Sequence, residues 1–267
     1  MTEFFSVNGT RYAVDLRGSG PAVVALHAGI ATRHMYDPLL VALEADHRVL
    51  AYDQPGYGDS ELPAGPIAPE LELLSLMDQA EMPRGVLVGT SFGCRVAFDA
   101  ALAAPDRVRA IVASGAGLSG RKVPQSLQEA FDAVDRAAAA GDLDQANELE
   151  MRIWVDGVGR STPVNVGVRS AVAAMNLSVL EESAAGREAE ELAPERPAVD
   201  HLAEVRCPVL IVVGECDQPY SIETATMIAD QVPNVRLVRL PETAHLPSLE
   251  RPAEFNQLVR EFIASLV

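Results

Sequence analysis

The feature that most constrains the fold is a series of short apolar runs that alternate with helical patterns. Continuous runs of Val, Ile, Leu and Ala are typical of strands buried on both faces of a parallel sheet. Most of the runs at residues 48–52, 85–88, 110–113, 209–213 and 235–240 are of this kind. Helical patterns occur at residues 38–45, 69–79, 92–103, 222–231 and 253–266. This alternation predicts an α/β fold with a doubly wound sheet, whose sites lie at the carboxyl ends of the strands.

Two earlier runs, residues 11–16 and 22–27, predict an antiparallel opening of the sheet. Strand signals then vanish from about residue 118 to residue 204, where the chain is rich in Ala, Glu and Asp and indicates several helices. Within this segment Gly141-Asp142 predicts a helix stop followed by an N-cap. Because strand signals resume afterwards and complete the same sheet, we expect a core of residues 1–117 and 205–267 that carries an inserted helical cap, residues 118–204.

Charge and cysteine content exclude several classes of function. The net charge of −17 would repel polyphosphate backbones and anionic lipid surfaces, so we expect neither nucleic-acid nor membrane binding. The first residues carry no basic segment followed by an apolar one, and no run reaches the roughly 18 apolar residues of a membrane helix, which predicts a cytoplasmic protein. The cysteines lack metal-ligand spacing, so we expect no disulfide framework, metal or cofactor.

The motif Gly89-Thr90-Ser91-Phe92-Gly93 stands where an apolar run ends and a helical pattern begins. A tight strand-to-helix turn forces its central residue into strained backbone angles, and flanking glycines let the chain pass close to itself. Such a turn lifts the Ser91 hydroxyl above the sheet, beside the positive N-terminus of the following helix. The motif predicts that Ser91 is a nucleophile.

A serine nucleophile needs a general base that is held by a carboxylate. His245 follows the last predicted strand, and Asp217 follows the end of the penultimate one. We prefer Asp217 to Glu215, which comes earlier in the turn. The other histidines are expected at the surface, in the insertion or at a strand end: His34, His47, His201 and His27. The order Ser91, Asp217, His245 is the one expected for this architecture.

The sequence from Asp53 to Ser60 supplies a further motif, which resembles a D-x-x-G-x-G-x-S loop. Together these motifs resemble those of the serine hydrolases of the α/β-hydrolase superfamily, and the resemblance covers nearly the whole chain. The resemblance implies an eight-stranded, mostly parallel sheet with helices on both faces and a helical cap. It also implies an oxyanion hole formed by the backbone N–H groups of Gly29 and Phe92. His27-Ala28-Gly29 stands where the family has His-Gly-x, and His27 and Asp53 would organise loops.

The implied chemistry is cofactor-free hydrolysis through an acyl-enzyme on Ser91. Related dehalogenases and epoxide hydrolases use aspartate at this position, and dienelactone hydrolases use cysteine. Residues 244–252 resemble the same stretch of 3-oxoadipate enol-lactonases, whereas ring-fission C–C hydrolases often have tryptophan where this chain has Leu246. We therefore expect a small carboxylic ester or lactone as substrate. The alternatives are a C–C hydrolase of ring-fission diketones and a ligand-sensing protein that retains the triad.

The inserted segment is expected to choose the substrate. Trp154 stands on an apolar helix face, which predicts either core packing or a place in the substrate pocket. Arg152, Arg160 and Arg169 could each receive a carboxylate, but solvated charge is the favoured interpretation of all three.

Overall fold

The computed structural model describes residues 2–186 and 189–266, so residues 1, 187, 188 and 267 of the expected core and cap lie outside the described residues. Eight strands form one sheet in the order β1-β2-β4-β3-β5-β6-β7-β8. The strands are β1 (Glu3–Val7), β2 (Thr10–Arg17), β3 (Ala22–Leu26), β4 (Arg48–Tyr52), β5 (Gly85–Thr90), β6 (Val108–Ser114), β7 (Val209–Gly214) and β8 (Val235–Leu240). The expected α/β fold with an eight-stranded, mostly parallel sheet is confirmed.

The antiparallel opening lies earlier in the chain than expected. β2 pairs antiparallel with β1 and with β4, while β3 pairs parallel with both β4 and β5. The expectation for residues 22–27 was therefore wrong, and β1 was not recognised. β1 is an edge strand of which only Val7 is buried, so it lacks the continuous apolar run of a central strand.

The helices have the following bounds: α1 (Asp37–Leu43), α2 (Pro69–Gln79), α3 (Phe92–Ala103), α4 (Gln125–Ala139), α5 (Leu143–Glu150), α6 (Val166–Ala184), α7 (Ala198–His201), α8 (Pro219–Gln231), α9 (Pro247–Glu250) and α10 (Pro252–Ala264). None of the described helices combines the length and the apolar character needed to cross a membrane.

Two apolar clusters cover the two faces of the sheet. In β5, Val86 and Val88 point to a cluster with α1 and α10, whereas Leu87 points to a cluster with α2, α3 and α8. Successive strand residues face opposite sides, so a strand covered on both sides must be apolar at every position. All six residues of β5 and of β7 are buried, which explains why these strands were visible as continuous apolar runs.

The helices α4, α5, α6 and α7 lie between β6 and β7 in the chain, and we refer to them with the π-helical turn Met151–Val155 as the inserted helices. The helix break at Gly141-Asp142 is confirmed. Gly141 has φ +79°, and the Asp142 side chain accepts a hydrogen bond of 3.1 Å from the Gln145 N–H at the start of α5.

A buried ionic cluster fixes the loops after β3 and β4. The Arg33 side chain is 2% exposed and pairs with Asp53, with Asp15 at 3.2 Å and with Asp59 at 3.0 Å. Asp53 also accepts hydrogen bonds from the backbone N–H groups of Arg33 at 2.7 Å and Asp59 at 3.0 Å. A Cβ on Gly58 would lie 2.2 Å from Oδ2 of Asp53, so this loop closes tightly around the carboxylate.

Replacing Arg33 should destabilise the fold strongly. Arg33→Met would leave the buried carboxylates of Asp15 and Asp53 without their cation, which should lower the free energy of unfolding by about 3–5 kcal/mol. Arg11 is a matched control because its pair with Glu61 is half exposed, at 53% and 51%. Arg11→Met should stay within about 1 kcal/mol of wild type. Urea unfolding of the three proteins measures the difference, and equal losses would contradict this account.

Candidate active site

Ser91 occupies a strained turn between β5 and α3. Its φ of +55° and ψ of −108° lie outside the conformations that non-glycine residues favour. Steric contacts explain why the residues at positions 89 and 93 are glycines. A Cβ on Gly89 would lie 2.4 Å from the Gly93 carbonyl oxygen, and a Cβ on Gly93 would lie 2.0 Å from the Leu26 carbonyl oxygen. Only glycine at both positions lets α3 start this close to the sheet.

His245 and Asp217 lie together at the carboxyl end of the neighbouring strands β7 and β8. Nδ1 of His245 lies 2.9 Å from Oδ1 and 3.0 Å from Oδ2 of Asp217. Both residues are only 2% exposed, and Oδ1 of Asp217 also accepts a hydrogen bond of 2.7 Å from the Gln218 N–H. Because the carboxylate occupies Nδ1, the other ring nitrogen, Nε2, is left for a reacting group.

The loops that carry this pair touch directly. A Cβ on Gly214, at the end of β7, would lie 2.2 Å from the carbonyl oxygens of Thr243 and Ala244. The Cys216 N–H donates a hydrogen bond of 2.9 Å to the Thr243 carbonyl. This contact fixes the spacing between the segment that ends in Asp217 and the segment that carries His245.

Ser91 and His245 line one cavity of about 420 Å³. Ser91 is partly exposed, so its hydroxyl is not sealed beneath the sheet. The cavity is bounded by core residues on one side and by the inserted helices on the other. Its walls are formed by Gly29, Ile30, Ser91, Phe92, Gln128, Phe131, Val134, Asp135, Glu150, Trp154 and His245. The structure thus brings Ser91, Asp217 and His245, three residues expected from sequence, to one edge of the sheet.

Gly29 and Phe92, the expected oxyanion-hole residues, both line this cavity. Phe92 is the first residue of α3, so its backbone N–H has no partner within the helix. Gly29 follows β3, and a Cβ there would meet only the Tyr57 hydroxyl at 3.7 Å. Glycine is therefore not required at position 29 by lack of space.

His27 lies outside the cavity lining. It is fully buried, and its Nε2 accepts a hydrogen bond of 2.9 Å from the Gln54 N–H. Nδ1 consequently carries the proton and donates to the Ala28 carbonyl at 2.8 Å. Burial lowers the pKa of His27, which keeps the ring neutral. These contacts tie the loop after β3 to the loop after β4 and suit an organising role.

Trp154 both packs and lines the cavity, so its two expected roles coincide. Its ring lies 4.3 Å from the His245 ring between centroids, at an interplanar angle of 36°, and 5.9 Å from the Phe131 ring. Its carbonyl accepts a hydrogen bond of 3.3 Å from the His245 N–H. The residue belongs to the π-helical turn, a geometry that is frequent at functional sites.

The expectation of solvated charge was wrong for Arg160. Its side chain is 5% exposed and pairs with Glu250, which is buried to the same degree. Glu250 also accepts a hydrogen bond of 3.0 Å from the Ala244 N–H, next to His245. Ninety positions separate the two partners, so no local pattern in the sequence could reveal this pair. Arg152 is 63% exposed, whereas Arg169 pairs with Glu148 and Asp156.

Other reactive groups lie elsewhere. Cys94 is fully buried in α3, and burial raises the pKa of its thiol to about 12, so it cannot compete as a nucleophile. Within the described residues, one group of side chains has metal-ligand spacing, namely Asp15, His34 and Asp37, and it does not line the cavity. The absence of a metal or cofactor in the reaction stays a prediction.

Comparison with known proteins establishes the family. Residues 23–258 match the Alpha/beta hydrolase family, and the chain belongs to it. A pimeloyl-(acyl-carrier protein) methyl ester esterase from Aeromonas hydrophila is 27% identical over 257 residues, which cover 94% of this chain and 98% of that protein. The resemblance to this superfamily that the sequence motifs indicated is thereby confirmed.

Solved structures show the same fold. A hydrolase from Pseudomonas aeruginosa PA01 has a TM-score of 0.78 and 26% identity, with 99% of this chain and 98% of that chain covered. The enol-lactonase from Burkholderia xenovorans LB400 has a TM-score of 0.79 and 20% identity, with 98% and 100% covered. At this identity the enol-lactonase shares the fold, and its substrate is not carried over.

The close contact at Gly93 can be tested by adding a single methyl group. Gly93→Ala would push a Cβ into the Leu26 carbonyl, which is backbone and cannot move aside easily, so the free energy of unfolding should fall by about 1–3 kcal/mol. A Cβ on Gly65 would meet nothing within 4 Å, so Gly65→Ala should change it by less than about 0.5 kcal/mol. Denaturant unfolding compares them, and a neutral Gly93→Ala would refute the steric argument.

Proposed function

We propose that this protein is a serine hydrolase that cleaves a small carboxylic ester or lactone, with Ser91 as nucleophile, His245 as base and Asp217 as the supporting acid. One observation carries the proposal: the strained Ser91 shares a cavity with His245, whose Nδ1 is 2.9 Å from Asp217. Relatives named as methyl ester esterases support ester hydrolysis as the type of reaction.

In the proposed reaction, Ser91 Oγ attacks the carbonyl carbon of the ester while Nε2 of His245 takes its proton. The electron pair of the carbonyl moves to oxygen, where the N–H groups of Gly29 and Phe92 stabilise the negative charge. One such donor is worth about 3 kcal/mol of barrier. The tetrahedral intermediate then expels the alcohol, which takes the proton from His245, and leaves an acyl group on Ser91. A water molecule deprotonated by His245 then attacks the acyl carbon, the bond to Ser91 Oγ breaks, and His245 returns the proton to Oγ as the acid leaves.

Asp217 would hold His245 in the required tautomer. With its carboxylate at Nδ1, the ring carries a proton there and presents an unprotonated Nε2 to Ser91. The negative charge also stabilises the imidazolium that forms during attack. The stacked Trp154 ring and the pair of Arg160 with Glu250 would keep the imidazole in this orientation.

We further propose that residues 118–204 act as a cap over the nucleophile. Support comes from the cavity walls, because α4 contributes Gln128, Phe131 and Val134, and the π-helical turn contributes Trp154. The ester would therefore bind between the sheet edge and the inserted helices, and the shape of the cap would decide which acyl and alcohol groups fit.

Removing the nucleophile should abolish turnover. Ser91→Ala should lower kcat/KM for p-nitrophenyl acetate and butyrate by at least about 10⁴-fold, since the base then has no hydroxyl to activate. Ser75 is a matched control, because its hydroxyl donates an exposed hydrogen bond to the Leu71 carbonyl within α2, and Ser75→Ala should retain wild-type activity.

Comparable activity of wild type and Ser91→Ala would disprove the assignment of the nucleophile. A panel that adds lactones and ring-fission diketones separates ester hydrolysis from the C–C hydrolase alternative. Negligible turnover on the whole panel, together with ligand-dependent binding of another protein, would favour the sensing alternative.

The choice of acid can be tested separately. Asp217→Asn should lower kcat by about 10⁴-fold, because an amide favours the wrong tautomer of His245. Glu215 lies two positions earlier and is exposed, so Glu215→Gln should keep activity within about twofold of wild type. Hydrolysis of p-nitrophenyl butyrate measures both variants. A large loss in Glu215→Gln with an active Asp217→Asn would reverse the assignment.

A further inference from the structure

We propose that Glu150 and Asp135 are specificity-determining residues that make the cavity select esters bearing a cationic group, such as a quaternary ammonium. This inference rests on the proposed function, because it concerns the substrate of the same cavity. It identifies the chemical class of that substrate by its charge, which neither the motifs nor the fold decide.

The charged side chains of the cavity wall are acidic. Its lining residues include two acids, Asp135 and Glu150, and none of the described lining residues is a lysine or an arginine. His245 is the remaining titratable residue of the lining, and its Nδ1 is occupied by Asp217. An anionic substrate would therefore meet two carboxylates without a compensating cation, whereas a cationic one would meet two opposite charges.

Asp135 and Glu150 differ from the acids near them in lacking an arginine partner. The nearby acids Glu148 and Asp156 form ion pairs with Arg152 and Arg169. Neither Asp135 nor Glu150 forms an ion pair with a described residue. Unlike the acids that bind these arginines, Asp135 and Glu150 would therefore be available to pair with a cation bound in the cavity.

Burial makes the Glu150 carboxylate costly when no cation is present. Removal from water raises the pKa of Glu150, and the negative charge of Asp135 raises it further. A hydrogen bond from Asn176 opposes this shift. A bound cation would lower this cost by pairing with the carboxylate. Asp135 is exposed to solvent and lines the same cavity, so its charge would attract a cation that approaches from solvent.

The aromatic part of the wall suits the same ligand. Phe131 and Trp154 lie 5.9 Å apart between ring centroids, and both line the cavity that contains the carboxylates. Aromatic faces attract a cation through their quadrupole, and a quaternary ammonium can lose its water and bind apolar rings at low cost. Rings and carboxylates in one cavity of about 420 Å³ therefore favour an organic cation over a metal ion or an anion.

The test compares esters that differ only in charge. In the acyl arm, p-nitrophenyl 4-(trimethylammonio)butanoate is compared with p-nitrophenyl 5,5-dimethylhexanoate, in which carbon replaces nitrogen, and with the anionic mono-p-nitrophenyl glutarate. In the leaving-group arm, acetylthiocholine is compared with S-(3,3-dimethylbutyl) thioacetate. We expect kcat/KM for the cationic member to exceed that of its neutral isostere by about tenfold in at least one arm, and the anion to be the poorest acyl substrate.

Variants identify the responsible residues. In Glu150→Gln, Asp135→Asn and the double variant, the ratio of cationic to neutral kcat/KM should fall towards one. Glu129 is also on α4, but it is exposed and does not line the cavity, so Glu129→Gln changes the net charge by as much as either single variant and should keep the wild-type ratio. Competitive inhibition of wild type by tetramethylammonium, and not by neopentyl alcohol, gives a second measurement that depends on no variant.

The possible outcomes separate the two proposals. A wild-type ratio of one or less in both arms, or a ratio that the double variant leaves unchanged, overturns the inference about charge. Hydrolysis of the neutral esters that is lost in Ser91→Ala would still support the proposed function in that case. Failure of wild type to cleave any of the esters would overturn both.

Discussion

The rest of the structure depends on the close crossing of β3 and α3 beneath Ser91. Gly93 lies so near the Leu26 carbonyl that no side chain fits between them, and the strained turn at Ser91 is the geometric result. Backbone strain of this kind persists only where the surrounding structure fixes it. Here two strands buried on both faces and a helix packed against them supply that rigidity.

A second constraint joins the loops that follow β7 and β8. Parallel neighbours end at the same edge of a sheet, so Asp217 and His245 need only short loops to meet. The contact of Gly214 with the Thr243 and Ala244 carbonyls brings these loops together, and Glu250 binds the backbone beside His245. The inserted helices complete the arrangement, because Trp154 contacts His245 through both its ring and its carbonyl.

The cavity is therefore formed by two parts of the fold, the sheet edge and the inserted helices. The sheet edge supplies groups whose positions are fixed by backbone geometry. The inserted helices supply side chains, and their spacing in the sequence does not reveal which of them meet. Glu148 and Glu150 are two positions apart in α5, yet Glu148 pairs with arginines and Glu150 lines the cavity.

The sequence by itself determined the α/β fold, the family and the turn at Ser91, because strand burial and tight turns leave local signatures in apolar runs and glycines. It also predicted Asp217 and His245, since strand order places the ends of β7 and β8 together. The edge strand β1, the direction of β3, the buried partner of Arg160 and the charge of the cavity wall required the tertiary structure. Those features depend on contacts between distant segments, and such contacts leave no periodic pattern along the chain.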